Sequence, residues 1–183
     1  MESNPARRQS QRLVRCTYDV HGAQILEIFN DVILNSTALY EYQPREQRQL
    51  RQWFDAKAQL SLPVLGVEGP NAELQAFGSY GPFRHFPAFK YTAEHSIYVA
   101  RPHRGKGLGG TLLSAIVDQA RQDQLHSLVG AIDVENHASC RLHEKYGFKR
   151  VGLMPQVGYK FGQWLDLALY QLLLDTPHTP TEG

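Results

Sequence analysis

The sequence predicts one mixed α/β (α+β) domain, built on a central sheet that starts antiparallel and is crossed by a helix in its middle. Three observations predict it. Early apolar runs are separated by short turn signals, as in hairpins. At mid-chain a strand pattern, a glycine-rich segment and a helical pattern follow one another. The length of 183 residues, with 42% hydrophobic and 20% charged residues, suits a single core that needs no staples.

Taken in order, Leu13 to Thr17 reads as a short strand, and Asp19 as the N-cap of a helix with Ile25, Leu26, Phe29, Val32 and Ile33 on one stripe. Pro44 suits the first position of a second helix, whose buried face is Leu50, Trp53 and Phe54. Pro63 to Glu68 and Glu73 to Tyr80 form a hairpin around Gly69-Pro70-Asn71. An aromatic and basic loop, Gly81 to Lys90, leads into a strand from Tyr91 to Ala100. Leu108, Leu112, Ala115, Ile116 and Ala120 then recur at helical spacing. A buried strand, Ser127 to Asp133, and a short helix from about His137 to Tyr146 follow. Phe148 to Leu153 and Trp164 to Leu174 close the chain as strands separated by a loop. The domain is expected over 13–175, with a disordered N-terminal tail over 1–12 and a flexible C-terminal tail over 176–183.

Composition excludes several classes. A formal net charge of +1 offers no global basic excess, so no nucleic-acid partner is expected. Arg7, Arg8 and Arg12 sit in the polar N-terminus, whereas Arg101, Arg104 and Lys106 crowd a glycine run. Two cysteines, Cys16 and Cys140, build neither a disulfide framework nor a zinc site, so no metal is expected. Without an apolar leader or a stretch of ~20 apolar residues, the expectation is a soluble, cytoplasmic protein with no membrane partner.

Arg104-Gly105-Lys106-Gly107-Leu108-Gly109-Gly110 lies between a strand and an amphipathic helix. A helix start presents backbone N–H groups without internal partners and a partial positive charge. Glycines remove the side chains that would keep a phosphate away from those groups, and Arg104 and Lys106 add charge. The segment is a pyrophosphate cradle. A nucleoside triphosphate loop would need Lys and then Ser or Thr after its last glycine, and Thr111 follows Gly110 directly. Gly105, Gly107 and Gly110 do spell the dinucleotide pattern, and Asp133 ends the next strand where a ribose-binding acid belongs. Against that reading, four residues separate the strand end near Ala100 from the first glycine, and little chain is left for a second half-sheet. Coenzyme A is the third candidate.

The string Arg-Gly-Lys-Gly-Leu-Gly resembles the acyl-carrier signature of the GNAT acetyltransferase superfamily. The order of Ile97-Tyr98-Val99, the signature, Asn136 and Gly147-Phe148 matches too. Thr92 to Val99, Arg141 to Glu144 and Gly158 to Trp164 are most similar to the phosphinothricin and methionine-sulfoximine N-acetyltransferase branch. The resemblance spans about Leu13 to Leu174. It implies a mixed sheet of six to seven strands flanked by helices, acetyl-coenzyme A as co-substrate, a small amino-acid-like acceptor and a homodimer. It also implies that backbone groups of Ile97, Tyr98 and Val99 pair with the pantetheine arm, that residues 104–110 hold the diphosphate, and that Asn136 reaches the pantetheine or the helix start.

Acetyl transfer to an amine requires a neutral amine, a stabilised oxyanion and a tolerated thiolate. An amine with a lysine-like pKa of ~10.4 pays about 4–5 kcal/mol to be neutral at pH 7, so a positioned base has a task. Glu94, on the strand leading to the cradle, is the candidate base, acting directly or through water. An amide at Val99 can polarise the thioester carbonyl. His143 stands where many superfamily members carry a tyrosine that protonates the thiolate, with Tyr146 as a rival donor; His95 is read as structural. For the acceptor, Arg84 offers a bidentate fork, Phe89 a wall, and Lys90 and Thr92 polar contacts. Ser36 to Tyr40 matches a second acceptor segment, and Lys160 and Trp164 are expected to complete a partner's pocket. Acetylation of a polyamine, antibiotic or protein amine, a non-catalytic coenzyme A sensor, and a nicotinamide oxidoreductase stand as alternatives.

Overall fold

The computed structural model describes residues 11–182. Among these, seven strands and four α-helices run in the order β1 (Arg12–Arg15), α1 (Tyr18–Asn35), α2 (Gln47–Gln59), β2 (Val64–Glu68), β3 (Leu74–Pro82), β4 (Thr92–Val99), α3 (Leu108–Gln122), β5 (Ser127–Asp133), α4 (His137–Lys145), β6 (Lys149–Lys160) and β7 (Gln163–Leu173). One sheet holds all seven strands in the order β1-β2-β3-β4-β5-β7-β6. Only β4 and β5 are parallel, and α3 is the crossover between them. Their ladder is short: Thr92, Ala93 and Glu94 pair with Ser127, Leu128 and Val129, and beyond Glu94 the strands diverge.

Alternation along the strands sorts side chains onto two faces. Leu112, Leu113, Ile116 and Ala120 of α3 pack on Ala76, Tyr80, Ala93 and Leu128. On the other face Ile25, Phe29 and Val32 of α1 and Leu50 and Phe54 of α2 pack on Phe77 and Tyr98. Each fully buried Leu or Ile stabilises the fold by about 1.5–3 kcal/mol relative to exposure, so these stripes fix which helix covers which face.

Several boundaries differ from the sequence reading. Helix α1 starts at Tyr18 with Thr17 as N-cap, and the Thr17 amide donates to Nδ1 of buried His21 at 3.1 Å, so Asp19 lies inside the first turn. Helix α2 starts at Gln47, three residues beyond Pro44, because Glu46 and Gln49 form a reciprocal capping box. Trp53 is half-buried. Arg12 belongs to β1 and pairs with buried Glu68 at 2.7 Å, so the ordered part of the domain begins before Leu13; Arg7, Arg8 and the rest of 1–10 lie outside the described residues. The loop expected between Leu153 and Trp164 is strand: β6 runs on to Lys160, with register shifts, and turns through Phe161-Gly162 into β7. From Thr176 onward the expected tail is hydrogen-bonded back onto the domain, with the Thr176 hydroxyl donating to the Leu125 carbonyl at 2.5 Å and the Thr181 amide to the Tyr91 hydroxyl at 3.0 Å.

Candidate active site

The divergence of β4 from β5 opens the site. A cavity of about 750 Å³ is bounded by Ile97, Tyr98 and Val99 of β4, by Arg104, Gly105, Gly107, Leu108, Gly109 and Gly110, by Asn136 and Ser139 of α4, and by Ser36, Thr37 and Ala38 after α1. A smaller pocket of about 70 Å³ adjoins it at the fork, touching Ala38, Ser96, Asp133, Ser139 and His143. Among the residues expected to hold the cofactor, Lys106 alone lies outside the cavity lining.

The cradle is built for close approach. Gly105 and Gly107 have φ of +76° and +83°, and a Cβ at either would meet nothing within 4 Å, so it would project into open space. Positive φ favours glycine at both positions. Among the described residues no backbone carbonyl accepts from the amides of residues 105–109, which leaves a run of free donors at the start of α3. Arg104 is oriented beside them: its Nε donates to the Val99 carbonyl at 3.1 Å and its guanidinium reaches Asp31 at 3.4 Å. A diphosphate fits this set of donors and charge.

Strand β4 supplies the next donors. The Ala100 amide bonds the Gln75 carbonyl of β3 at 2.9 Å, so by alternation the backbone groups of Val99 and Ile97 face the fork. No β5 residue pairs with them. Their amides and the Ile97 carbonyl are free to take a ligand as a surrogate strand, while the Val99 carbonyl already accepts from Arg104. Asn136 stands across the cavity as the N-cap of α4, where its side chain accepts from the Ser139 amide at 3.2 Å, which is the helix-start role rather than a free contact.

The two expected proton-handling groups lie on opposite faces of β4. Glu94 and Ser96 share the face covered by α1 and α2, while His95 points to the face of α3 and α4. Glu94 keeps contact with solvent, yet the atoms packed around its carboxyl raise its pKa above the ordinary carboxylate value; Arg84 opposes part of the rise. Ser96 borders the small pocket, whereas Glu94 lines neither cavity and lies two residues, about 7 Å, along the strand, a distance that takes two waters in series to bridge.

His143 is 3% exposed and both ring nitrogens are engaged. Nδ1 lies 2.8 Å from the Ser139 carbonyl, which can only accept, so Nδ1 carries a proton. In the neutral ring Nε2 is then bare and accepts from Nε2 of His95 at 2.9 Å. Burial pushes His143 below its usual pKa, and burial with His143 alongside pushes His95 down to about 3. The pair is neutral at neutral pH. It packs against Gly130 of β5, where a Cβ would stand 3.1 Å from His95 and 3.2 Å from His143. Tyr146 turns its hydroxyl onto Gly110, outside the cavity lining.

Of the expected acceptor residues, Arg84, Phe89 and Lys90 lie on the loop between β3 and β4 and Thr92 opens β4. Arg84 stacks on Phe83 at 4.2 Å and donates to its carbonyl at 2.8 Å; Phe89 meets Phe83 edge-on at 5.8 Å. Lys90 stands 5.1 Å over the Tyr91 ring, and Thr92 begins the β4–β5 ladder. This loop folds on itself and contributes no side chain to either cavity. Lys160 is buried within its own chain, against the expectation that it completes a partner's pocket, because three carbonyls of the α1 end and its following turn surround its ammonium. Trp164 is exposed beside Tyr159.

Two features were missed in the sequence. The His95–His143 pair had a signal, since period-two alternation in Thr92–Val99 puts His95 on the α4 side. The bond from Thr37 to Asp133, which takes Asp133 out of any ribose-binding role, had none. The sheet order, with antiparallel β7 beside β5, also removes the second parallel half that a dinucleotide fold needs.

Residues 25–148 match the acetyltransferase (GNAT) family. The chain belongs to that family. An L-methionine sulfoximine/L-methionine sulfone acetyltransferase of Pseudomonas paraeruginosa is 46% identical over 82% of this chain and 88% of its own. A solved structure from Acinetobacter baylyi ADP1 superposes with a TM-score of 0.94 at 46% identity, covering 95% of this chain and 97% of that one. A phosphinothricin acetyltransferase of Sinorhizobium meliloti, solved in complex with AcCoA, is more distant: 29% identity, TM-score 0.89, 94% of each chain. GNAT acetyltransferases use acetyl-CoA.

Proposed function

We propose that this GNAT enzyme transfers an acetyl group from acetyl-coenzyme A directly to the amino group of a small amino-acid-like acceptor, of the methionine sulfoximine or methionine sulfone type. One observation carries the reading: the free amides of the cradle and the edge of β4 unpaired with β5 line one cavity, which adjoins a smaller pocket at the fork beside Ser96. The relatives' acceptors support the choice of substrate class.

In this reading the amides at residues 105–109 and Arg104 hold the diphosphate, and Ile97 and Val99 hold the pantetheine arm. The acetyl thioester supplies an activated acyl group when bound. The Val99 amide, facing the fork, stabilises the carbonyl oxygen as negative charge grows on it. Glu94 removes the amine proton through water along the Ser96 face, and its raised pKa brings it closer to the working range of a base. His143 takes part as a neutral group that shapes the fork, since its proton on Nδ1 is committed to Ser139, so the departing thiolate takes its proton from solvent. Cys140 lies outside the cavity lining, which favours direct transfer over an acyl-cysteine route. Arg84, Phe89, Lys90 and Thr92 line neither cavity as the loop stands, so the reading has that loop close over the fork when the acceptor binds, with Arg84 the cation for its carboxylate.

The finer expectations fit the same reading. Among the described residues the outer edge of β6 has no strand partner, and it exposes Val151, Leu153, Val157 and Tyr159, a surface suited to a second copy of the chain. Two free thiols suit a reducing compartment, the cytoplasm. The test is release of free thiol from acetyl-coenzyme A with methionine sulfoximine, methionine sulfone, phosphinothricin, a polyamine and a lysine peptide as acceptors. Turnover with the first two is expected; turnover with the polyamine or peptide alone would overturn the substrate class. Sedimentation equilibrium is expected to give a dimer, and a monomer would remove that part.

A further inference from the structure

The connection between α1 and α2 forms one wall of the cavity through Ser36, Thr37 and Ala38, yet no helix or strand holds residues 36–46. Its carbonyls converge instead on one side chain. Lys160, at the end of β6, donates to the carbonyls of Ile33 at 2.7 Å, Ser36 at 2.9 Å and Leu39 at 2.5 Å. An ammonium has three protons, and these bonds use all of them. Ile33 lies in the last turn of α1, where carbonyls lack helical partners and carry partial negative charge. Lys160 therefore caps that helix from a distant strand.

The same wall is pinned on its other side. The Thr37 hydroxyl donates to Asp133 at the end of β5, and the Tyr42 hydroxyl donates to the Tyr159 carbonyl at 2.7 Å. Tyr40 lies so close to Gly158 that a Cβ there would stand 2.8 Å from its ring. Among the described residues no carboxylate forms an ion pair with Lys160, and burial lowers its pKa while Glu41 pulls it back. A buried charge without an ion pair is costly, so its three bonds must do what an apolar side chain cannot.

We propose that Lys160 is a positioning residue for the amine acceptor, fixing the turn at 36–39 so that Thr37 and Ala38 hold the acceptor side of the cavity in shape. The inference rests on the acetyl-transfer reading above. It acts through the turn, since the ammonium itself is saturated.

The test is Lys160→Met, followed by amide hydrogen exchange and steady-state kinetics with methionine sulfone. Exchange at residues 36–42 is expected to speed up at least tenfold, while the amides of β3 and β4 keep their protection. The KM for the amine is expected to rise at least tenfold, with the Kd for acetyl-coenzyme A within threefold of wild type. A merely structural lysine would move protection across the sheet and both substrates together, and that outcome overturns the proposal. Unchanged exchange and unchanged KM overturn it equally. Should the Met variant fail to fold, Lys160→Gln, with two donors on a shorter stem, is expected to show the same pattern at smaller amplitude; wild-type behaviour there overturns it. A wild-type enzyme inactive on every amino acid would instead remove the underlying reading, leaving the exchange result to stand alone.

Discussion

At Glu94 two effects compete, crowding that favours the neutral acid and Arg84 that favours the carboxylate, and crowding prevails. A base must be ionised to act. Wild-type kcat/KM is therefore expected to fall as pH drops through a limb above the ordinary glutamate value of ~4.3. Glu94→Gln should remove that limb and lower kcat by roughly 10²-fold or more, with the deficit largest above the limb, where the wild-type carboxylate is ionised, and shrinking as pH falls through it. A pH–rate profile that keeps its acid limb in the variant would exclude Glu94 from the role. The buried histidine pair makes a separate prediction about stability. Both rings have depressed folded pKa values, so between about pH 6.5, the unfolded value, and their folded values the unfolded chain binds more protons. The stability they contribute is present above pH 6.5 and lost as pH falls, by up to about 1.4 kcal/mol per pH unit for each ring. Urea unfolding from pH 7 to pH 4 should show a shallower decline in a His95→Phe, His143→Leu double variant than in wild type.

Among the elements, the start of α3 carries the clearest test. Gly107→Glu places an anion among free amides and on a backbone at positive φ; the strain costs about 1–2 kcal/mol, within what a domain of this size tolerates. Calorimetry is expected to show at least 100-fold weaker acetyl-coenzyme A binding with an unchanged circular dichroism spectrum, and retained affinity would count against the cradle. This element was legible in the sequence because its chemistry is local: strand, glycines, cations and an amphipathic helix follow one another without help from distant residues. Strand β6 was not legible. Pro155 and Gly158 read as loop, but the strand absorbs them as an irregularity in which Gln156 takes a positive φ and its amide donates to Asp166. The start of α2 was misplaced for a similar reason, since a glutamate cap paired with Gln49 competes with the ordinary proline signal. Within the site, the residues named for the cofactor, Lys106 apart, line the large cavity, whereas the seat of Lys160 was not foreseen, because a lysine on a hairpin carries no mark of the three carbonyls waiting for it. Arg84 and Phe89 each pack on Phe83, but their distance from the cavities depends on how the loop folds, which residue type alone does not encode.

Across the whole molecule, the sheet is two pieces joined at a narrow seam. Strands β1 to β4 form one antiparallel piece and β5, β7 and β6 the other, with only three residue pairs of ladder between them. Helix α3 bridges the seam, and the rest of the boundary is the fork. Such a seam is where cohesion should be weakest and where a molecule lying along both edges adds most. Acetyl-coenzyme A at 100 times its Kd is expected to raise the unfolding free energy by about 2.7 kcal/mol, read as a higher melting temperature. Hydrogen exchange should show that gain concentrated at residues 95–99 and 130–133 rather than spread evenly. The enzyme's substrate would then serve as mortar between two halves of a split wall, so that an idle protein is also a looser one.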